Sequence, residues 1–146
     1  MELFTIGFTQ KTAERFFGLL LDNQVSTLVD TRLNPDGQLS GFARRVDLPY
    51  LCRELAGCDY VHVPELAPTK ELMTEYRDGN DWERYVGRYA ALLDDREIPG
   101  SLDPPFFTGQ RCCLLCSEHP PDRCHRRLLA ERLATAWPEL TIVHLT

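Results

Sequence analysis

No apolar run in these 146 residues approaches the ~20 needed to span a bilayer, so membrane insertion is not expected. The opening residues, Met1-Glu2-Leu3-Phe4-Thr5-Ile6-Gly7, lack a basic stretch and a long apolar core. They read as a strand rather than a secretory signal. Net positive charge is also missing: 16 Lys and Arg face 22 Asp and Glu, for a formal charge of −6. That disfavours general attraction to nucleic acid or anionic membranes. No repeat, low-complexity tract or linker divides the chain, and one α/β domain over residues 1–146 is the simplest organisation. The six cysteines show no zinc-ribbon or finger spacing. They are expected to be reduced, mostly buried thiols of a cytoplasmic protein with no structural disulfide, the alternative being reversible oxidation between Cys116 and Cys124, which both lie around one strand–helix turn. No cofactor is expected. Cys116, His119, Cys124 and His125 offer metal-ligand chemistry, but on a helix the adjacent Cys124 and His125 would point about 100° apart, so no metal site is expected either.

Five short runs have strand character: Leu3–Gly7, Thr27–Thr31, Tyr60–Val63, Cys112–Ser117 and Thr141–Leu145. Helical patterns separate them. Phe16, Phe17, Leu20 and Leu21 recur at three- and four-residue spacing, with Thr9 or Thr12 as N-cap and Asn23 near the stop. Residues 47–56, 70–77 and 81–97 also read as helical, the last two broken at Asp78-Gly79-Asn80. Pro99-Gly100 and Pro104-Pro105 mark a long loop, and a last helix is expected from Asp122 to Ala136. Alternating strands and helices imply a five-stranded, mainly parallel sheet with helices on both faces, a doubly wound Rossmann/flavodoxin-like fold. The run Cys112–Cys116 is apolar on both alternating faces, as a central parallel strand should be.

In open sheets of this kind, ligands bind beyond the carboxyl ends of the strands. The expected strands end at Gly7-Phe8-Thr9, Asp30-Thr31-Arg32, Pro64-Glu65 and Cys116-Ser117-Glu118, so polar and reactive residues gather at one end. The densest stretch runs from Cys116 through Ser117-Glu118-His119-Pro120-Pro121-Asp122-Arg123-Cys124-His125-Arg126-Arg127. Charge supports a local anion site there, since residues 71–97 carry eight acids against four arginines while Arg123, Arg126, Arg127 and Arg132 cluster in the final helix. Cys116 leaves its strand just before a helix whose amides, with Arg123 and Arg126, would favour a thiolate. The spacing to Arg123 is C-x6-R, not the C-x5-R of cysteine phosphatases, and Pro120-Pro121 removes two amide donors. Asp30 and Arg32 share a face at a strand end, where they would hold a ligand or each other. Glu118 and His125 complete the candidate acid–base groups.

Thr5-Ile6-Gly7, Val29-Asp30-Thr31-Arg32, Tyr60-Val61-His62-Val63-Pro64-Glu65-Leu66, Leu114-Leu115-Cys116-Ser117-Glu118 and Cys124-His125-Arg126 follow one another in an order that resembles the family called domain of unknown function 488. The C-x-E…C-H-R element is the most specific part. The resemblance implies a compact α/β domain of the prokaryotic cytosol and no settled activity. This chain departs from the pattern after Gly7, where Phe8-Thr9 replaces the usual His-Ser.

Two functional readings stay open. In one, the chain is a cysteine-assisted hydrolase or transferase acting on a nucleotide or another anionic, phosphorylated small molecule. Cys116 is then the nucleophile or redox-active thiol, Asp30, Glu118 and His125 are the acid–base groups, and Arg32, Arg123, Arg126 and Thr9 hold the ligand. In the other, the same cluster is a non-catalytic module that recognises a nucleotide, a nucleic-acid end or a protein partner.

Overall fold

A computed structural model describes all residues 1–146 as one sheet sheathed by helices. The strands are β1 (Glu2–Gly7), β2 (Thr27–Asp30), β3 (Asp59–His62), β4 (Cys112–Cys116) and β5 (Thr141–Leu145). The helices are α1 (Ala13–Asp22), α2 (Leu48–Ala56), α3 (Lys70–Gly79), α4 (Trp82–Asp95), α5 (Pro104–Thr108) and α6 (His125–Ala136). All neighbouring strands run parallel, in the order β3-β2-β4-β1-β5. The chain steps outward from β1 to β3, returns to lay β4 between β2 and β1, and ends on the far side of β1. Every strand therefore presents its carboxyl end at one edge of the molecule.

Side-chain alternation divides the core in two. Phe4 and Ile6 of β1, Leu28 of β2, and Cys113 and Leu115 of β4 pack with α1 and α2. Leu3, Val29, Cys112 and Leu114 face the opposite way, onto α3, α4, α5 and α6. A central strand covered on both faces must be apolar throughout, which explains the unbroken burial of Cys112–Cys116. Helix boundaries follow local chemistry. The Thr12 hydroxyl caps α1 by accepting from the Arg15 amide, and the left-handed Asn80 ends α3 before Asp81 caps α4.

Two expectations need correction. The long loop before β4 contains α5, because Pro104 and Pro105 occupy the first helical positions, where a missing N–H costs nothing. The last helix begins at His125, not Asp122: Cys124 is its N-cap in an extended conformation (φ −135°, ψ 141°), so the chain through Pro120-Pro121 and Asp122 stays outside the helix. No helix is long and apolar enough to cross a membrane.

Candidate functional site

The carboxyl ends of the three central strands meet side by side. Gly7 lies opposite Cys116, Asp30 opposite Leu115, and the Thr31 amide donates to the Leu115 carbonyl at 3.0 Å. Cys116, the last residue of β4, is buried, and the loop 117–123 folds over it before Cys124 opens α6. That loop is tied down from several sides. Thr9 donates from both its amide and its hydroxyl to the Ser117 carbonyl, at 3.1 and 2.7 Å. Lys11 Nζ contacts His119 Nδ1 at 2.9 Å, and burial together with the charges of Arg126 and Arg15 lowers the lysine's pKa. Gly7 is required here, since a β-carbon at that position would collide with the Glu118 carbonyl.

Arg126 organises the site from within. It is 0% exposed, an unusual state for a guanidinium, and its donors are spent on internal acceptors. Nε donates to Thr5 Oγ1 at 3.2 Å, Nη1 to the Glu118 carbonyl and, at 3.2 Å, to Cys116 Sγ, and Nη2 to the His119 carbonyl at 3.0 Å. No carboxylate is among these partners. Burial lowers the Arg126 pKa to about 10, against the pull of Cys113 and Glu118, so it keeps its charge at neutral pH. The group in contact with it that can become an anion is the Cys116 sulfur. Thr5 relays the network outward, with its Oγ1 lying 2.6 Å from His144 Nδ1. Burial, reinforced by Arg126, lowers the His144 pKa.

Cys116 and Cys124 are joined through their sulfurs, with Cα atoms 7.6 Å apart. The expectation of reduced thiols is corrected at these two positions, the pair whose reversible oxidation was the alternative, while Cys52, Cys58, Cys112 and Cys113 remain free and buried. A ring nitrogen of His125 completes a set of three ligand atoms that all lie within 4.8 Å of one another. Cys124 and His125 do not diverge as neighbours on a helix would, because Cys124 is extended and outside the helix and the 100° rotation does not apply. His125 Nε2 lies 3.0 Å from the Thr31 carbonyl and 2.9 Å from its hydroxyl. A carbonyl only accepts, so Nε2 carries the proton. Burial pulls the His125 pKa down to about 4, leaving the ring neutral.

Asp30 and Arg32 form a separate knot on β2. Asp30 Oδ1 accepts from the Arg32 amide (3.1 Å) and Nε (2.8 Å), and Oδ2 accepts from Nη2 (2.7 Å) and the Tyr60 hydroxyl (2.6 Å). Arg32 also donates to the Ala43 carbonyl at 2.7 Å and lies 5.1 Å over the Phe8 ring. The carboxylate is saturated and the pair sealed, with Arg32 only 7% exposed and Asp30 at 0%. Glu118 and Arg123 sit exposed on the rim. Of the residues singled out from sequence, Cys116, His125 and Arg126 therefore converge directly, and Thr9 joins them through Ser117. Asp30 and Arg32 are neighbours bound to each other. Cys124, Thr5, Gly7, Lys11 and Thr31 complete the site. Cys124 was visible as a thiol next to an imidazole, and Thr5 and Gly7 as parts of Thr5-Ile6-Gly7.

A cavity of about 350 Å³ lies elsewhere, between α3 and α4, lined by Leu72, Tyr76, Arg84 and Tyr85 among others. No curated protein and no solved structure matches this chain. A family model does match, over residues 12–133, a span that begins after Thr5-Ile6-Gly7 and includes the C-x-E…C-H-R element. The chain belongs to the family described as domain of unknown function DUF488.

Proposed function

We propose that the chain is an enzyme of thiol chemistry acting on small anionic molecules that carry an electrophilic sulfur. The observation that carries this reading is the meeting of the Cys116 and Cys124 sulfurs at the end of the central strand, with Arg126 Nη1 3.2 Å from Cys116 Sγ. A guanidinium at that distance supports a thiolate on Cys116. In the proposed cycle, the Cys116 thiolate attacks one sulfur of a substrate disulfide. A mixed disulfide forms, and the other half leaves as a thiolate that takes a proton from solvent. Cys124 then attacks the Cys116 sulfur, and its proton goes to the departing second half. Two substrate thiols and the Cys116–Cys124 disulfide result, and two equivalents of a low-molecular-weight thiol of a reducing cytoplasm return the pair to the dithiol and leave as their own disulfide.

The loop 117–123 must lift to admit substrate, because Cys116 is 1% and Cys124 4% exposed. Lys11 and Arg123 border that loop and supply the positive charge for an anionic substrate. Arg126 is committed internally, Arg32 is held by Asp30 and Ala43 with its buried Nη1 left without a partner, and Asp30 is saturated, so Glu118 on the rim is the acid left free to act.

The test is trapping. Cys124→Ser incubated with glutathione disulfide should accumulate one glutathione adduct on Cys116, read by intact mass and peptide mapping. The wild type should instead end as the internal disulfide, two hydrogens lighter than the dithiol. Absence of an adduct on a folded Cys124→Ser protein would sink the reading. The burial of both sulfurs favours the second reading, a non-catalytic binding module. That reading expects nucleotides to raise the melting temperature equally in the wild type and in Cys116→Ser.

A further inference from the structure

The same three side chains that close the site have the composition of a soft-metal centre. We propose that in the reduced protein Cys116, Cys124 and His125 bind one thiophilic divalent cation of the Zn²⁺ type, so that metal-bound dithiolate and metal-free disulfide are alternative states of one site. The inference rests on the dithiol of the proposed function, and it adds a ligand that neither the family assignment nor that reading contains.

Ligand chemistry comes first. Two sulfurs and an imidazole nitrogen all within 4.8 Å of one another select a borderline-soft ion and disfavour Mg²⁺ or Ca²⁺, which want oxygen ligands. All three are held on stiff elements: Cys116 ends the central strand, Cys124 caps α6, and His125 begins it.

Outer contacts match as well. A ligating histidine almost always gives its other ring N–H to a carbonyl or carboxylate, and His125 Nε2 donates to the Thr31 carbonyl at 3.0 Å, leaving the lone pair on Nδ1. Arg126 Nη1 donates to Cys116 Sγ at 3.2 Å, the hydrogen bond expected toward a metal-bound thiolate. Two thiolates neutralise the divalent ion. No fourth His, Cys, Asp or Glu belongs to the cluster, and His119 contacts Lys11 instead. The fourth tetrahedral position is thus left to water or an exchangeable ligand, as in sites that do chemistry rather than purely structural ones. Oxidation balances simply: the bound dithiolate gives two electrons to a disulfide, which takes up two protons and leaves as two thiols. The cation is released unchanged as the Cys116–Cys124 bond forms.

Titrating the reduced full-length chain anaerobically with Co²⁺ tests this. The expected result is a near-ultraviolet sulfur-to-cobalt charge-transfer band with tetrahedral visible bands, saturating at one equivalent and bleached by Zn²⁺. Adding glutathione disulfide should abolish the bands and release the metal as the internal disulfide appears. Cys124→Ser and His125→Ala should each weaken Co²⁺ binding at least 100-fold, with circular dichroism confirming that each variant is folded. Absence of a charge-transfer band in the reduced wild type would overturn the inference, as would a band that persists in the Cys116→Ser/Cys124→Ser double variant. A glutathione adduct on Cys124→Ser with no cobalt band in the wild type defeats the metal site alone. A cobalt band in the wild type with no such adduct defeats the proposed enzyme and leaves the metal site standing.

Discussion

Two buried arginines lie at the carboxyl edge of the sheet, Arg32 just beyond β2 and Arg126 reaching in from α6 to β1 and β4, and the fold treats them in opposite ways. Arg32 is matched by Asp30 through two side-chain hydrogen bonds and a backbone one, and Tyr60 fills the remaining acceptor capacity. Arg126 is buried still more deeply but faces carbonyls, a hydroxyl and a sulfur. A carboxylate offsets a buried cation permanently, so the first knot is fixed. A thiol does so only when ionised and reduced, so the second knot changes with the chemical state of Cys116. One end of the sheet thus carries a strut and, a strand away, a responsive site.

The largest effects should come from breaking the strut. Asp30→Ala leaves the Arg32 charge buried with only the Ala43 carbonyl and the Phe8 face, and should cost about 3–5 kcal/mol in urea unfolding. Arg126→Met removes a charge without stranding an opposite one. It leaves the carbonyls of Glu118 and His119 short of a donor beside a rim where water can reach them, and should cost about 2 kcal/mol. The two variants should differ in reactivity in the reverse order. Arg126→Met, made in the Cys124→Ser background, should form the glutathione adduct at least about tenfold more slowly, the factor that follows from losing about 1.4 kcal/mol of thiolate stabilisation. Asp30→Ala should leave that rate near its starting value. Equal losses of stability would remove the distinction between the knots.

Much of this arrangement was readable beforehand. The alternation that splits Cys113 and Leu115 from Cys112 and Leu114 was present in the sequence, and the strands lie within one residue of where periodicity places them. The fate of Arg126 was readable too, though its charge drew the eye toward ligand binding. It shares the three- and four-residue spacing of Leu129, Ala130 and Leu133, the stripe of α6 that is buried. What periodicity could not supply is the path of a non-helical cap. Taking Cys124 as helical sent its side chain away from His125, whereas its extended backbone brings both to Cys116. Likewise, Pro104-Pro105 signals equally a loop or a helix start, and only packing of Phe107 into the core decides for α5.

The pH response sharpens the comparison at intermediate size. His125 ordinarily titrates near 6.5 and is held neutral in the fold, with its pKa near 4. Between those values the unfolded chain binds the proton and the folded chain does not, so stability is fully present above about 6.5 and falls as pH drops toward 4. The loss should amount to about 2 kcal/mol between pH 7 and 4.5, measured without metal, and His125→Gln should flatten that part of the profile. A slope unchanged in His125→Gln would place the acid sensitivity elsewhere.

Smallest is the contribution of the hydroxyl that completes the strut. Tyr60 donates to Asp30 Oδ2 at 2.6 Å, and burial and the neighbouring carboxylate both push its own ionisation upward, so it remains a donor throughout the neutral range. Tyr60→Phe keeps the ring, and Oδ2 keeps its bond from Arg32 Nη2 at 2.7 Å. Tyr60 is itself only half-buried, which gives water a route to the freed acceptor. The cost should therefore be about 1 kcal/mol, the net worth of one hydrogen bond whose partner is not left bare. In a double-mutant cycle with Arg126→Met the two losses should add within about 0.5 kcal/mol, because the knots share no partner. A coupling energy well above that would mean that the strut and the thiol site form one network, and that the fixed knot helps set the state of the responsive one.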